Sequence, residues 1–241
     1  MNLHTKIKLT LLLSNVLTLG AFVFFFSWQN LGLALLVWTC FNFGVSAGFH
    51  RLFAHRSYQT NSFWRWFLLI SGTLAGIGSS LSWIGQHRMH HANSDVEGKD
   101  PYYPHNNWIK AWIFGPWALP ISPMTVKDLI RDQDHKWLHD NYFKILAAYI
   151  TILFLINPVL VFWAWAVPSA ATFFSLQVTG VLGHMVGTVD YELNDKSKNC
   201  HILNIFTFGE SYQNSHHHDV RRIILGKYDL VGYTIKHIFS K

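Results

Sequence analysis

The chain contains 241 residues, half of them hydrophobic, with only 13% charged and a formal net charge of +6. A soluble domain averages about 25% charged residues, so this composition excludes an ordinary soluble globular protein. The shortfall is concentrated in three stretches that lack Asp, Glu, Lys and Arg: residues 9–50, 66–87 and 145–189. A membrane-spanning helix needs about 20 mostly apolar residues. The composition therefore predicts an integral membrane protein, and we expect no nucleic-acid partner.

The first stretch is long enough for two spans, near residues 7–26 and 31–49, separated by a turn at residues 27–30. Lys6 and Lys8 precede the apolar run, as basic residues do in a signal peptide. No small-residue cleavage motif follows the run, so we expect a first span that is retained.

The middle stretch, residues 66–87, is long enough for only one span. A crossing there would place His50 and His55 on one side of the bilayer and His87 on the other, where they could not share a metal. The stretch also contains several Gly and Ser residues. We therefore predict an interfacial or re-entrant helix that returns to its starting side, which is tolerated where protein covers the backbone. The alternative is a plain fifth span.

The third stretch predicts two more spans, near residues 145–166 and 169–187, with a turn at Pro168 and Ser169. Neither predicted turn carries Lys or Arg, so the positive-inside rule places both termini and the large middle region in the cytoplasm. We thus expect a single all-α membrane domain covering residues 1–241. It would contain four transmembrane helices in two hairpins, the interfacial or re-entrant helix, and a cytoplasmic cap.

Three histidine clusters lie beside these apolar stretches, and imidazole is a good ligand for transition metals. His87, His90 and His91 have a spacing that shares one helix face, and Gln213, His216 and His217 repeat it. His50 and His55 are about one and a half α-helical turns apart and so do not share a face. We expect them at a helix end, each reaching a different metal. His184 near the last span is an eighth candidate. The predicted ligands of one polynuclear site are His50, His55, His87, His90, His91, His184, His216 and His217.

Other residues near the clusters are weaker candidates. His218 becomes a ligand if the register shifts by one, and Gln213 is a possible metal contact. Carboxylates commonly orient metal-binding imidazoles, and four lie beside the clusters: Asp95, Asp100, Glu210 and Asp219. For Asp100 the alternative is an ordinary turn, and for Asp219 a solvated helix cap.

Two further pairs of residues have competing interpretations. Trp83 and Tyr212 either line the substrate or are ordinary packing aromatics. His135 and His139 are one helical turn apart, but their segment is strongly charged. We expect a solvated helix face there rather than a zinc site.

The clusters resemble the histidine boxes of membrane fatty acid desaturases. Residues 48–57, which contain His50-Arg51-Leu52-Phe53-Ala54-His55, are similar to the first box. Residues 83–101, which contain His87-Arg88-Met89-His90-His91, are similar to the second. Residues 208–217 are similar to the third, and residues 183–199 resemble the segment that carries the extra histidine. The order and spacing match from about residue 40 to 220, closest to the delta-9 acyl-CoA or acyl-lipid type.

This resemblance implies a four-span fold whose cytoplasmic cap holds two non-haem iron ions bound almost wholly by histidine. Iron would activate O2 to remove two hydrogens from adjacent methylenes of a fatty acyl chain, which yields a cis double bond and water. The substrate would be an acyl-CoA or acyl-lipid, and the electron donor a ferredoxin or cytochrome b5. An unactivated C–H bond offers no acid or base handle, so a metal–oxygen oxidant agrees with the residues present.

Two positions depart from the family pattern. The third box usually begins with His but here has Gln213, and the Asn that precedes the extra histidine by four residues is replaced by Gly180. Either Gln177 or Asn214 substitutes for that Asn, or the second metal is more open, which would favour hydroxylation.

Three alternative functions remain open. One is a lipid, carotenoid or alkane hydroxylase or ketolase of the same superfamily. The others are a membrane metal carrier, which the scarcity of polar residues in the spans disfavours, and an inactive homologue.

Overall fold

The computed structural model describes residues 2–114, 117 and 119–241, and the described part of the chain is helical. It contains no β-strand within those residues, only isolated bridges from Asn199 to Thr188 and to Tyr212. Three helices are long and apolar enough to cross a membrane. These are α1 (Leu3–Phe24), α2 (Trp28–Ala54) and α9 (Pro158–His184). The all-α membrane fold predicted from the composition is therefore what the described chain adopts.

Helices α1 and α2 form the predicted N-terminal pair. Their boundary lies beside the predicted turn, where the Ser27 hydroxyl accepts a hydrogen bond from Asn30 N and caps α2. A side-chain cap satisfies one of the backbone donors that a helix start leaves open. Many large side chains of α1 are exposed, including Leu19, Val23 and Phe24. A helix that exposes such an apolar surface is suited to contact lipid.

The predicted turn at Pro168 and Ser169 is wrong. The break lies at Asn157, between α8 (Tyr142–Ile156) and α9, where the Asn157 side chain caps Val159 N and Pro158 occupies the first helical position. Proline is favoured there because that position needs no N–H donor.

Pro168 is instead accommodated inside α9, directly after a π-helical segment, Phe162–Ala166. Proline cannot donate to the carbonyl four residues earlier, which is that of Ala164. The hydroxyl of Tyr149 in α8 donates to this carbonyl at 2.8 Å. The carbonyl therefore keeps a partner, and a proline that reads as a helix break in the sequence does not end the helix.

The middle stretch folds back on itself, as the histidine argument required. α3 (Ser62–Leu74) and α4 (Ser80–Ala92) are separated by a turn in which Gly76 and Gly78 have φ values of +79° and +108°. Such values favour glycine. α4 then brings the Nε2 atom of His87 to within 2.7 Å of that of His55 at the end of α2.

We define the cap as α4 together with the six remaining short helices, α5–α7 and α10–α12. They are α5 (Trp108–Phe114), α6 (Lys127–Ile130), α7 (Gln133–Asp140), α10 (Asn204–Thr207), α11 (Gln213–His218) and α12 (Leu230–Thr234), the last extended by a π-helical turn, Ile235–Phe239.

The sequence predicted a solvated face for α7. That prediction is wrong for His135, which is fully buried. Its Nδ1 lies 2.8 Å from the Ser80 hydroxyl, and Nδ1 of His139 lies 2.6 Å from that of Ser79. These contacts join α7 to the start of α4. Hydrogen bonds to polar groups explain why a charged segment buries one of its histidines.

Candidate metal centre

The eight predicted histidine ligands meet in two adjacent groups. The first group contains His50, His55, His87, His91 and His216, and the second contains His90, His184 and His217. Within each group the candidate ligand atoms all lie within 4.8 Å of one another. Residues 87–91 and 216–217 each contribute to both groups, so α4 and α11 hold the two groups side by side.

The expectation that His50 and His55 do not share a face is wrong because α2 ends as a π-helix, Gly44–Ala54. In a π-helix the backbone bonds connect residues five apart, and His55 N donates to His50 O at 3.1 Å. The two rings therefore lie next to each other, with centroids 4.9 Å apart. Both histidines belong to the first group.

In the first group the Nε2 atoms point at one another. The distance is 2.9 Å between His50 and His216, 3.1 Å between His87 and His91, and 3.0 Å between His91 and His216. This places the lone-pair positions of several imidazoles around one point. Neutral imidazoles arranged in this way are what a first-row transition metal requires.

In the second group each histidine is held by its own aspartate. Nδ1 lies 2.8 Å from a carboxylate oxygen in all three pairs: His90 with Asp100, His184 with Asp95, and His217 with Asp195. The Nε2 atoms of these histidines are buried and have no hydrogen-bond partner among the described residues. A buried polar atom without a partner is costly. A bound metal ion would coordinate all three Nε2 atoms, so these histidines fit a metal site.

The first group has a different supporting network. Nδ1 of His50 lies 2.6 Å from Oε2 of Glu210, whose other oxygen accepts from Arg51 at 2.8–3.0 Å. Arg51 also donates to both carboxylate oxygens of Asp229, at 2.8 and 3.1 Å, and to Ile223 O. Arg51 and Asp229 are fully buried. The network ties the C-terminal part of the cap to His50.

Burial favours the neutral form of five of these imidazoles, because it lowers the pKa of His55, His87, His91, His216 and His217. It lowers the pKa of His55 to about 2, with further lowering by the neighbouring His50. It lowers the pKa of His217 to about 4, although the hydrogen bond to Asp195 opposes the shift. The pKa values of Asp95, Asp100 and Glu210 are also lowered: their histidine partners, and for Glu210 also Arg51, outweigh the desolvation that alone would raise them. Ligating imidazoles must be unprotonated, and burial favours that form for these five.

A narrow, mostly apolar cavity reaches both groups. Its wall includes Trp83, whose ring stacks on that of His87 with centroids 5.0 Å apart. The other lining residues come from α2, α4 and α9 and from the segments after them: Asn42, Val45, Ser46, His50, His87, His90, Tyr102, Ser175, Leu176, Thr179, Gly180, Thr207, Glu210 and Gln213. An apolar slot beside histidines suits an alkyl chain.

Tyr102 explains the glycine at position 180. A Cβ atom on Gly180 would lie 2.7 Å from the Tyr102 ring, which itself lies edge-on to His90 with centroids 5.2 Å apart. The expected polar substitutes are engaged elsewhere. Gln177 donates to Trp112 O, and the Asn214 side-chain oxygen accepts from Asp190 N. An aromatic ring therefore fills this side of the second group.

The weaker candidates from the sequence have partners of their own. Gln213 lines the cavity, and its side-chain amide donates to Glu210 O. His218 is exposed and stacks on Tyr191 at 3.9 Å. Asp219 is exposed and accepts from Arg221 N. Tyr212 is buried against Gly226 and does not itself line the cavity.

Three residues of the network were not singled out from the sequence: Arg51, Asp195 and Asp229. Arg51 lies inside the first histidine box, and Asp195 lies inside the segment, residues 183–199, that contains His184, so both could have been found from the sequence. Asp229 lies ten residues beyond Asp219, outside every recognised motif.

Comparisons with known proteins agree with this geometry. The family model described as "Fatty acid desaturase" matches residues 26–222, and the chain belongs to that family. It is an oxidoreductase of the desaturase type and a membrane protein, and the family implies that it uses a metal.

The chain is 31% identical over 200 residues to "sn-1 stearoyl-lipid 9-desaturase" of Anabaena variabilis, covering 80% of this chain and 72% of the relative. It is 32% identical over 201 residues to the protein of the same name from Synechocystis sp., covering 80% and 62%. It is 31% identical over 202 residues to "Delta-9 acyl-lipid desaturase 2" of Arabidopsis thaliana, covering 80% and 65%. The chain thus spans about two thirds of the length of these relatives.

Proposed function

We propose that the chain uses O2 to introduce a cis double bond into a fatty acyl chain at a histidine-bound diiron centre. The observation that carries the proposal is the second histidine group. Its three buried Nε2 atoms lack partners among the described residues, each ring is held by an aspartate, and His90 of this group lines an apolar cavity.

The residues around the cavity would have three roles: binding metal, holding the acyl chain and orienting the imidazole rings. The eight histidines would hold two irons, which when bound supply the oxidant that an unactivated methylene requires. Val45, Leu176 and Trp83 would hold the acyl chain straight against the centre and exclude water from it. The carboxylates of Glu210, Asp95, Asp100 and Asp195 would fix the imidazole rings in orientation.

The proposed substrate is a lipid-linked acyl chain oxidised at the delta-9 position. Relatives matching at 31–32% identity are named for stearoyl-lipid substrates and for position 9. The proposed electron donor is a ferredoxin or cytochrome b5 type protein, and the net charge of +6 would attract an acidic donor.

The proposed topology has four spans, with α8 as the fourth. α8 has 15 residues, or about 22 Å of helix, which is shorter than the hydrocarbon core of about 30 Å. Its pairing with α9 and its apolar exposed residues, including Leu155 and Ile156, support a membrane position. Both termini and the metal centre would then face the cytoplasm.

The test is to express the intact chain with an electron donor and analyse total fatty acids and bound iron. His90→Ala removes a member of the second group. His218→Ala is the matched control, since His218 is exposed and outside both groups. New cis-monoenes that persist in His218→Ala and vanish in His90→Ala are the expected result.

Other outcomes would contradict the proposal in different ways. Hydroxylated chains would indicate a hydroxylase of the same superfamily. Absence of bound iron from the purified wild-type protein would rule out the diiron centre.

A further inference from the structure

Residues 201–207 form a short segment that exposes apolar side chains and buries polar ones. It consists of a tight turn, His201–Leu203, followed by α10. Ile202 is 84% exposed and Ile205 is 73% exposed, whereas Asn204 and Thr207 are buried at 3% and 1%. A helix on the surface of a soluble protein buries its apolar face. A segment with apolar residues outside and polar residues inside is suited to a bilayer.

The segment is continuous with the helices that could cross the membrane. The Ser175 hydroxyl of α9 donates to Phe206 O at 2.7 Å, and the neighbouring Phe174 is 48% exposed. On the other side, Phe208 packs against Trp38 of α2 with ring centroids 5.0 Å apart. The sequence has no Asp, Glu, Lys or Arg between Lys198 and Glu210. The exposed apolar surface of α9 therefore extends directly onto this segment.

The polar face of the segment reaches the cavity through Thr207. Thr207 lines the cavity together with Ser175 and Asn42. Asn204 is three residues before Thr207 and so shares its helix face. Both amide atoms of Asn204, and Nδ2 of Asn42, are buried without a hydrogen-bond partner among the described residues. An unpaired buried amide costs free energy unless a ligand satisfies it.

We propose that residues 201–207 lie in the bilayer interface and form one side of a lateral entrance for an intact glycerolipid. The Asn204 amide would donate a hydrogen bond to the ester carbonyl of the lipid, while the acyl chain passes Thr207 and Ser175 toward the histidine groups. This inference rests on the proposed function and specifies its substrate. A lipid ester already lies at the depth of an interfacial segment, whereas the polar headgroup of an acyl-CoA would approach from water.

The position of the segment can be measured without any catalysis. A nitroxide label at Ile205→Cys, in a Cys40→Ser, Cys200→Ser background, is placed in lipid nanodiscs. Its collision rates with O2 and with a water-soluble nickel complex are then compared. We expect O2 to dominate, since O2 concentrates in lipid. A label at Arg221→Cys, which replaces an exposed charged residue beside Arg222, is the aqueous control. Equal nickel access at both positions would overturn the proposal.

The role of Asn204 is tested with Asn204→Leu, which removes the amide and nearly keeps its volume. The full chain in nanodiscs is given either a glycerolipid with one stearoyl chain or stearoyl-CoA, together with an electron donor. Loss of one hydrogen bond to the ester predicts about a tenfold lower kcat/KM for the lipid. Iron content should stay unchanged, as should the behaviour of the control Asn194→Leu at an exposed position.

The outcomes separate the two proposals. Failure of the wild-type chain to desaturate either substrate would overturn the proposed function. Desaturation of the lipid with equal efficiency by the wild type and Asn204→Leu would overturn the assigned role of Asn204. Desaturation of stearoyl-CoA alone would overturn the lateral entrance while leaving the desaturase intact.

Discussion

The two histidine groups use the same ligand type but are supported differently. The first group has five imidazoles, and the carboxylate that holds His50 is shared with the buried Arg51. The second group has three imidazoles, each held by its own aspartate. A carboxylate partner fixes the ring and raises its basicity as a ligand. The first group thus relies on ligand number, and the second on carboxylates that offset the charge of a bound cation.

Removing one histidine from each group should have the largest effect and should separate the groups. His216→Ala is expected to release metal from the first group and His184→Ala from the second. Each should lower activity by more than the roughly 10–100-fold that loss of an orienting partner causes. Metal content per chain and turnover are measured beside the exposed control His218→Ala. Complete metal loss from both variants would show that the two groups form one indivisible unit.

Asp229 should matter next most, because its removal leaves Arg51 buried without one of its two carboxylate partners. Breaking a buried ion pair by removing one partner costs about 3–5 kcal/mol of unfolding free energy. Asp229→Ala should reach that range in denaturant unfolding, and Asp219→Ala, at an exposed position, should stay within about 0.5 kcal/mol. Preferential loss of metal from the second group in Asp229→Ala would contradict the connection through Arg51 to His50.

Replacing one of the aspartates that orient the second group should have a smaller effect, and that effect should be confined to the second group. Asp95 accepts from Lys196 N and holds both His184 and His105, so Asp95→Asn keeps its size while removing its charge. Metal affinity of the second group should fall about 10–100-fold. The exposed Asp140→Asn is the control, and metal titration of both variants is the measurement. An equal loss from the first group would show that the support is shared.

The sequence indicated which histidines come together better than it predicted how the backbone brings them together. The eight histidines stand out because few residue types bind transition metals and the clusters recur beside apolar stretches. The shared face of His50 and His55 depends on a π-helix, and no residue pattern marks a change from four-residue to five-residue backbone bonding. The predicted break at Pro168 failed because Tyr149, distant in sequence, supplies the hydrogen bond that proline cannot.

Contacts between residues distant in the sequence also explain why the surroundings of Gly180 and the role of Asp229 were not predicted. Gly180 was recognised as a departure, but the ring that fills its space belongs to Tyr102, which follows a different helix. Asp229 lies in no recognisable motif, because its role is to accept hydrogen bonds from one buried arginine, Arg51. Residues that bind through their own chemistry are visible in one sequence, whereas residues that act through a partner require the fold.

Acidification of the metal-free protein should produce the smallest effect per histidine and pH unit, and it should distinguish the groups by pH. The pKa of His217 is lowered to about 4 and that of His55 to about 2, against about 6.5 in an unfolded chain. Below pH 6.5 the unfolded chain therefore binds protons that the folded protein does not accept, so stability falls as pH falls. Each histidine contributes at most about 1.4 kcal/mol per pH unit.

The difference between the groups should appear near pH 4. Between pH 6.5 and 4 both histidines contribute to the slope, so His55→Gln and His217→Gln should each flatten it. Below pH 4, His217 is protonated in both states, whereas His55 continues to contribute, as do the other first-group imidazoles whose pKa burial lowers. Asp195, whose pKa is lowered mainly by its hydrogen bond to His217, adds a loss of stability as pH falls below its unfolded value, and this loss should disappear in His217→Gln. Unfolding free energies in detergent between pH 7.5 and 3 are the measurement, and a stability independent of pH below 6.5 would show that the buried imidazoles accept protons without cost.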